Sequence, residues 1–191
     1  MPTPIGHSLI STAIYTAVTG KEDRFSATDF AVFLFLGVAP DLDFVPGLLV
    51  GAPSRYHHGL SHSVGMSVLV GLLFGLIYYA VAKKPLVRYW MIFSLIYFAH
   101  VAADFFAVDT SPPIGEQLFW PFWTGYVLSP ITFFLDVQRS GQSADFFVSI
   151  FKMHNLKTVI LEFILCFPLI PGIWLLKKNN CIFNRLGQLT Q

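Results

Sequence analysis

Val64-Gly65-Met66-Ser67-Val68-Leu69-Val70-Gly71-Leu72-Leu73-Phe74-Gly75-Leu76-Ile77-Tyr78-Tyr79-Ala80-Val81-Ala82 is an uninterrupted run of nineteen residues without a charge. At about 1.5 Å of rise per residue, a helix of that length comes close to the roughly 30 Å hydrocarbon core of a bilayer. Composition agrees: 54% of the 191 residues are hydrophobic and 12% are charged, against about 25% charged in an ordinary soluble domain. The expected fold is all-α, an integral membrane helical bundle with about four or five transmembrane helices. A single membrane-embedded domain spans residues 1–191 in this reading.

On the C-terminal side, Lys83-Lys84-Pro85 ends the run and Arg88 precedes a second one, Tyr89 to Ala103, extending towards Phe106 and containing His100 and Asp104. On the N-terminal side lies Tyr56-His57-His58-Gly59-Leu60-Ser61-His62-Ser63, with three imidazoles at the mouth of the long segment. Residues 8–19 read as a short helix closed by Gly20 and the charged turn Lys21-Glu22-Asp23-Arg24. Ser26 or Thr28 can cap a helix over Phe30 to Val38, which stops at Ala39-Pro40 because proline disfavours a helical residue before it. Asp41 and Asp43 then stand at a helix end, followed by a loop rich in Pro and Gly (Pro46, Gly47, Gly51, Pro53). Val108 to Trp123 reads as an ordered surface or re-entrant loop. Val127 to Leu135, with Pro130, is apolar but short, and its crossing is left open; Asp136 to Lys157 is more polar; Thr158 to Leu176 is a last span. The N-terminus lacks the basic region of a secretory signal, so no cleavage is expected. Cys166 and Cys181 show no CxxC spacing and no paired framework.

One set of helix ends carries Lys21, Arg24, Lys83, Lys84, Arg88, Lys177, Lys178 and Arg185; the other carries Arg55, Arg139, Lys152 and Lys157. The richer set belongs in the cytoplasm by the positive-inside rule. Tracing the chain back and forth then puts His7, Asp41, Asp43, His57, His58, His62, His100 and Asp104 at the opposite, outer face.

His100 and Asp104 are spaced i,i+4 and project from one helical face. Ionisable groups at membrane depth usually face a cavity or the bundle interior. By itself such a pair also serves as a structural hydrogen bond between helices, and Asp41 and Asp43 as caps of the following turn. Carboxylates at a helix C-terminus are disfavoured by roughly 0.3–1 kcal/mol each, which a nearby cation would offset. Mixed imidazole and carboxylate donors suit Zn first, with Mn or Fe as the other fitting ions. The candidate metal ligands are His7, Asp41, His57, His62, His100 and Asp104, holding one or two divalent transition ions. The candidate catalytic residues are His58, Asp43 and Glu116, with Glu116 an outer acid or base in a loop where a solvated carboxylate is the plainer expectation. His154 and Glu162 fall outside the pattern, with pairing as their plain reading. No basic cluster suits nucleic acid, no G-x-S-x-G elbow backs Ser61 or Ser63, and no Gly-rich phosphate loop is present.

In order along the chain come Gly6-His7-Ser8-Leu9, Pro40-Asp41-Leu42-Asp43, His57-His58-Gly59-Leu60-Ser61-His62-Ser63, His100-Val101-Ala102-Ala103-Asp104 and Leu118-Phe119-Trp120-Pro121. Together they resemble the YdjM-like bacterial inner-membrane family, described as membrane-bound metal-dependent hydrolases. The similarity covers about residues 5–125, with the C-terminal helix over 158–176 beyond it. The chain departs from the family's His-Arg-Gly and Thr-His-Ser pattern at His58, where Arg is expected, and at Ser61, where Thr is expected. The loop from Asp109 to Gln117 is also longer than the family's turn. The resemblance implies a multi-pass protein of the bacterial inner membrane that hydrolyses its substrate. A sparser likeness in the order of His and Asp residues, to zinc-dependent phospholipase C and single-strand nucleases, favours a phosphoester.

These readings combine into a membrane-bound metal-dependent hydrolase acting through a metal-activated water on a phosphoester of a lipid or other amphiphile, with membrane lipid as partner. A metal or proton transporter using the same His/Asp cluster, and a structural protein with a helix-tying metal, are the alternatives.

Overall fold

A computed structural model describes residues 1–19 and 26–179. Gly20, Lys21, Arg24, Cys181 and Arg185 lie outside the described residues. The chain forms α1 (Pro4–Val18), α2 (Ala27–Val38), a 3-10 turn (Ala39–Asp43), α3 (Phe44–Leu49), α4 (Val64–Ala82), α5 (Leu86–Phe105), α6 (Phe146–Ser149), α7 (Met153–Cys166) and α8 (Leu169–Asn179). Among the described residues, four segments are long and apolar enough to cross a membrane: Ala27–Leu49, Val64–Ala82, Leu86–Phe105 and Met153–Lys178.

Local chemistry sets the helix starts. Ser26 and Asp29 form a reciprocal capping box on α2, and the Ser63 hydroxyl accepts from Met66 N at the start of α4. Thr3 caps α1 with Pro4 behind it, so α1 begins at Pro4 and not at residue 8. The apolar pattern begins only at residue 9, whereas proline in a first turn gives up an N–H that would have no partner there. His7 is thereby brought into the first turn of α1.

α4 and α5 run antiparallel with their backbones almost touching. A Cβ at Gly71 would lie 2.1 Å from Ser94 Oγ, and one at Gly75 would lie 3.0 Å from Trp90 N. Small residues at this spacing let membrane helices pack through dispersion contacts. Phe33 and Leu36 of α2 fill the core with Tyr78, Tyr89, Phe93 and Ile96. α1 joins them, with Tyr15 edge-on to Phe30 and Phe33. The outer flanks of α4 and α5 expose Leu69, Leu73, Leu76, Met91 and Leu95, as lipid-facing surfaces do.

Several expectations change. The second helix does not end at Pro40: the chain continues through the 3-10 turn into α3, so Pro46 and Gly47 are helical and not part of the loop. Pro40 stands at the start of that turn, where a missing N–H costs nothing. Asp41 therefore sits inside a tightened helical path, and the argument from a free helix C-terminus does not hold for it. Val127 to Leu135 is not a helix. It runs extended, with Val127 bridged antiparallel to Glu116 and Phe134 bridged parallel to Ala107. The last span begins earlier than Thr158, at Met153, and breaks between α7 and α8 around Phe167-Pro168. Its first turn is polar because it anchors the preceding strap: His154 Nε2 lies 2.8 Å from Asp136 Oδ1, and Asn155 exchanges hydrogen bonds with the backbone of Gln138.

The directions of the helices separate two ends. Lys83, Lys84 and Arg88 lie where α4 meets α5, and Lys177 of α8 donates to the carbonyls of Thr16 and Ala17 at the end of α1. The histidines and aspartates gather at the other end.

Candidate metal centre

Each helix delivers its part by where it starts or stops. α5 carries His100 and Asp104 in its last two turns, α1 carries His7 in its first, the 3-10 turn carries Asp41 and Asp43, and the turn before α4 carries His57, His58 and His62. Gly37 allows the close approach of α1 that this convergence requires: a Cβ there would fall 1.7 Å from Ser11 Oγ.

The centre of the cluster is formed by Asp41, His62, His100 and Asp104, whose ligand atoms all lie within 4.8 Å of one another. His62 Nε2 is 3.2 Å from His100 Nε2, 3.1 Å from Asp104 Oδ2 and 3.8 Å from Asp41 Oδ1. His100 Nε2 is 3.2 Å from Asp104 Oδ2 and 3.6 Å from Asp41 Oδ1.

The outer nitrogens decide what the inner ones offer. His100 Nδ1 lies 2.8 Å from the carbonyl of Gly37, which can only accept, so Nδ1 carries the hydrogen and Nε2 a lone pair. His62 Nδ1 lies 3.1 Å from Asp43 Oδ2 and 3.1 Å from Ser61 Oγ, and Ser61 passes its own proton to Asp43 at 2.6 Å. That again leaves a lone pair on Nε2. Two imidazole lone pairs and two carboxylates thus face one point in a dry interior, with His62 fully buried and His100 and Asp104 nearly so. Such a set is stable only with a cation or added protons at its centre. Without a metal, burial works against an imidazolium at His62, but the contacts with Asp104 and Asp43 outweigh it and hold its pKa well above the usual value.

Orphaned atoms support the same reading. Both carboxylate oxygens of Asp41, Asp104 and Glu116, both nitrogens of His7, and His58 Nε2 are buried without a hydrogen-bond partner. His7 Nε2 is 3.2 Å from Asp104 Oδ1, and its ring stacks on His100 with centroids 3.6 Å apart. The residues present fit a divalent transition ion: two imidazoles and two carboxylates, the imidazoles already oriented by outer partners.

The other expected residues fall around this centre. His57 gives Nδ1 to Asp43 Oδ1 at 2.9 Å and turns Nε2 to Met1 Sδ at 3.0 Å, with its ring stacked on Phe44. Burial and the adjacent His58 push its pKa down to about 3. A neutral His57 is therefore set to hold Asp43, while Asp43 holds His62. His58 and Glu116 form a further group with Asp104, again within 4.8 Å. Glu116 is not a solvated loop carboxylate: it is 2% exposed, and burial followed by the charge of Asp104 raises its pKa well above the usual range. His154 and Glu162 stay outside the cluster. His154 pairs with Asp136, and Glu162 accepts from Thr3 N at 2.6 Å and from the Thr3 hydroxyl.

Asp109 escaped sequence reasoning. Its Oδ2 lies 3.5 Å from His58 Nδ1, and only the fold of an irregular loop puts it there. A sequence match supplies what geometry does not: the pattern of the YdjM inner membrane proteins fits residues 1–179. The chain belongs to the YdjM inner membrane protein family. With four apolar spans, this YdjM-family chain is a multi-pass inner-membrane protein. No curated protein and no solved structure matches it.

Proposed function

We propose that this YdjM-family protein is a metal-dependent hydrolase of amphiphilic phosphoesters, with its centre near the outer face of the inner membrane. The observation that carries the reading is the convergence of His62 Nε2 and His100 Nε2 on the carboxylates of Asp41 and Asp104. The outer nitrogens of both rings are committed to Asp43 and Gly37. A bound divalent ion, with Zn the best match and Mn or Fe also suited, supplies Lewis-acid polarisation of a phosphoryl oxygen and acidifies water to near neutrality.

The chain's own groups do the rest. Asp43 and the Gly37 carbonyl orient the two imidazoles, and His7 stacks behind His100. The side chain of Asp41 is 13% exposed where those of His62, His100 and Asp104 are closed off, so the open edge of the centre is at Asp41. A substrate enters there, and an oxygen of Asp41 or Asp104 is placed to take the proton of attacking water. The orientation follows the basic residues: eight of the twelve Lys and Arg lie at the end away from the site, which is the cytoplasmic end by the positive-inside rule.

The segment that turns Glu116 inward also exposes Phe119, Phe122, Trp123, Tyr126 and Leu128. Aromatic residues of this kind belong at the membrane–water boundary, where a lipid-linked substrate presents its headgroup. Between the site and the basic end stand Phe33, Leu36, Phe93 and Ile96, each almost fully buried. A transit path for ions would need polar groups at that depth, which favours hydrolysis over transport.

The test uses the full chain in phospholipid vesicles with added Zn or Mn. Release of a water-soluble phosphoester product, lost in His62→Ala and unaccompanied by metal uptake into the vesicles, is expected. Metal uptake that tracks His62 without any product overturns the proposal.

A further inference from the structure

We infer that a second divalent cation binds beside the first, held by His58, Glu116 and a bridging Asp104. The inference rests on the metal-centre reading above. Asp104 has four close neighbours and no hydrogen bond: Oδ2 faces His62 and His100, while Oδ1 faces His7. On its other flank His58 Nε2 stands 3.9 Å from Asp104 Oδ2, and the ligand atoms of His58, Asp104 and Glu116 lie within 4.8 Å of one another. All three side chains are at least nine-tenths buried, and His58 Nε2 and both oxygens of Glu116 lack any partner.

His58 is prepared in the same way as His62 and His100. Its Nδ1 faces Asp109 Oδ2 at 3.5 Å, and Asp109 is itself held by the N–H groups of Gly115 at 2.7 Å and Ser111 at 3.2 Å. An outer carboxylate on one imidazole nitrogen fixes the tautomer that presents the other as a ligand. The backbone is set for this as well. His58 has φ of 61°, a conformation that residues with a Cβ rarely adopt, and its carbonyl accepts from Gln117 N at 3.1 Å. Glu116 is fixed by the paired backbone hydrogen bonds to Val127, both 2.9 Å. The strained turn and the bridged loop thus hold two unpartnered ligands against the free side of Asp104. Glu116 is here a ligand, in place of the acid–base role suggested by its sequence position. Paired ions flanking a shared carboxylate match the two charged oxygens of a phosphoester undergoing displacement.

The experiment loads detergent-purified full-length protein with Mn(II), removes free metal, and reads metal per chain together with the electron paramagnetic resonance spectrum. Two equivalents with the spectrum of an exchange-coupled pair are expected in the native sequence. Glu116→Gln should retain one equivalent and give an uncoupled signal. Asp109→Asn, which leaves the ligands in place, should weaken only the second equivalent, by about 10- to 100-fold. A native protein that saturates at one equivalent with an uncoupled signal overturns the second position and leaves the first standing. No bound metal at all overturns the metal-centre reading itself. A Glu116→Gln protein that still holds a coupled pair overturns the assignment of Glu116.

Discussion

Replacing Asp43 by Asn tests the support of the centre without touching a proposed ligand. Asp43 accepts from Ser61 Oγ at 2.6 Å and lies 2.9 Å from His57 Nδ1 and 3.1 Å from His62 Nδ1. As a carboxylate it can only accept, so both imidazoles must point N–H groups at it. An amide of the same shape can instead turn its NH2 towards His62. That favours the tautomer with the proton on Nε2, the nitrogen facing His100 and Asp104. A ring in that tautomer cannot ligate. Loss of an outer partner of this kind costs about 10- to 100-fold in metal affinity, or about 1.4–2.7 kcal/mol. The assay is competition for Zn(II) against a chromophoric chelator in detergent, with the unfolding temperature of metal-free protein as the control for fold. Affinity unchanged within about twofold, in a variant that melts like the native protein, would refute the argument that Asp43 sets the His62 tautomer.

Other outcomes follow from the same geometry. A metal supplied at a hundred times its dissociation constant should stabilise the protein by about 2.7 kcal/mol. That raises the unfolding temperature by about 5–11 °C for a chain of this size, and a chelator should reverse the shift. Loading should also release protons near pH 7: His62 holds a proton in the metal-free state because its pKa is raised, and ligation requires that proton to leave. Affinity therefore falls as pH is lowered, and loading without proton release in a weakly buffered solution would contradict the placement of His62. Gly71→Val should destabilise the α4–α5 pair by about 1–3 kcal/mol in a detergent unfolding titration, because its Cβ would sit 2.5 Å from the backbone nitrogen of Ser94.

The parts of the site carried on long helices were legible in the sequence. The i,i+4 spacing of His100 and Asp104 survives in the structure, and alternation of the helices brings His7, Asp41 and His62 to the same end. What sequence could not supply was direction within the turns. His57 and His62 look equivalent in the histidine-rich stretch, yet His57 turns both nitrogens to Asp43 and Met1, whereas His62 faces His100. The roles of Glu116 and Asp109 were hidden for a related reason. Both lie in a stretch without helical periodicity, held by an isolated bridge to Val127 and by turn hydrogen bonds that no spacing rule reveals. α3 was missed because Pro40 and Pro46 read as breaks, although each falls where helical turns accept proline.

Metal content of detergent-purified protein, native against the His100→Ala, Asp104→Ala double variant, tests the central claim most directly. The account predicts one or two equivalents of a transition metal in the native protein and loss of that metal in a double variant that still elutes as a folded particle. A native protein that carries no metal and takes none up at micromolar supply would contradict it, leaving the buried cluster as a proton-sharing network of histidines and carboxylates.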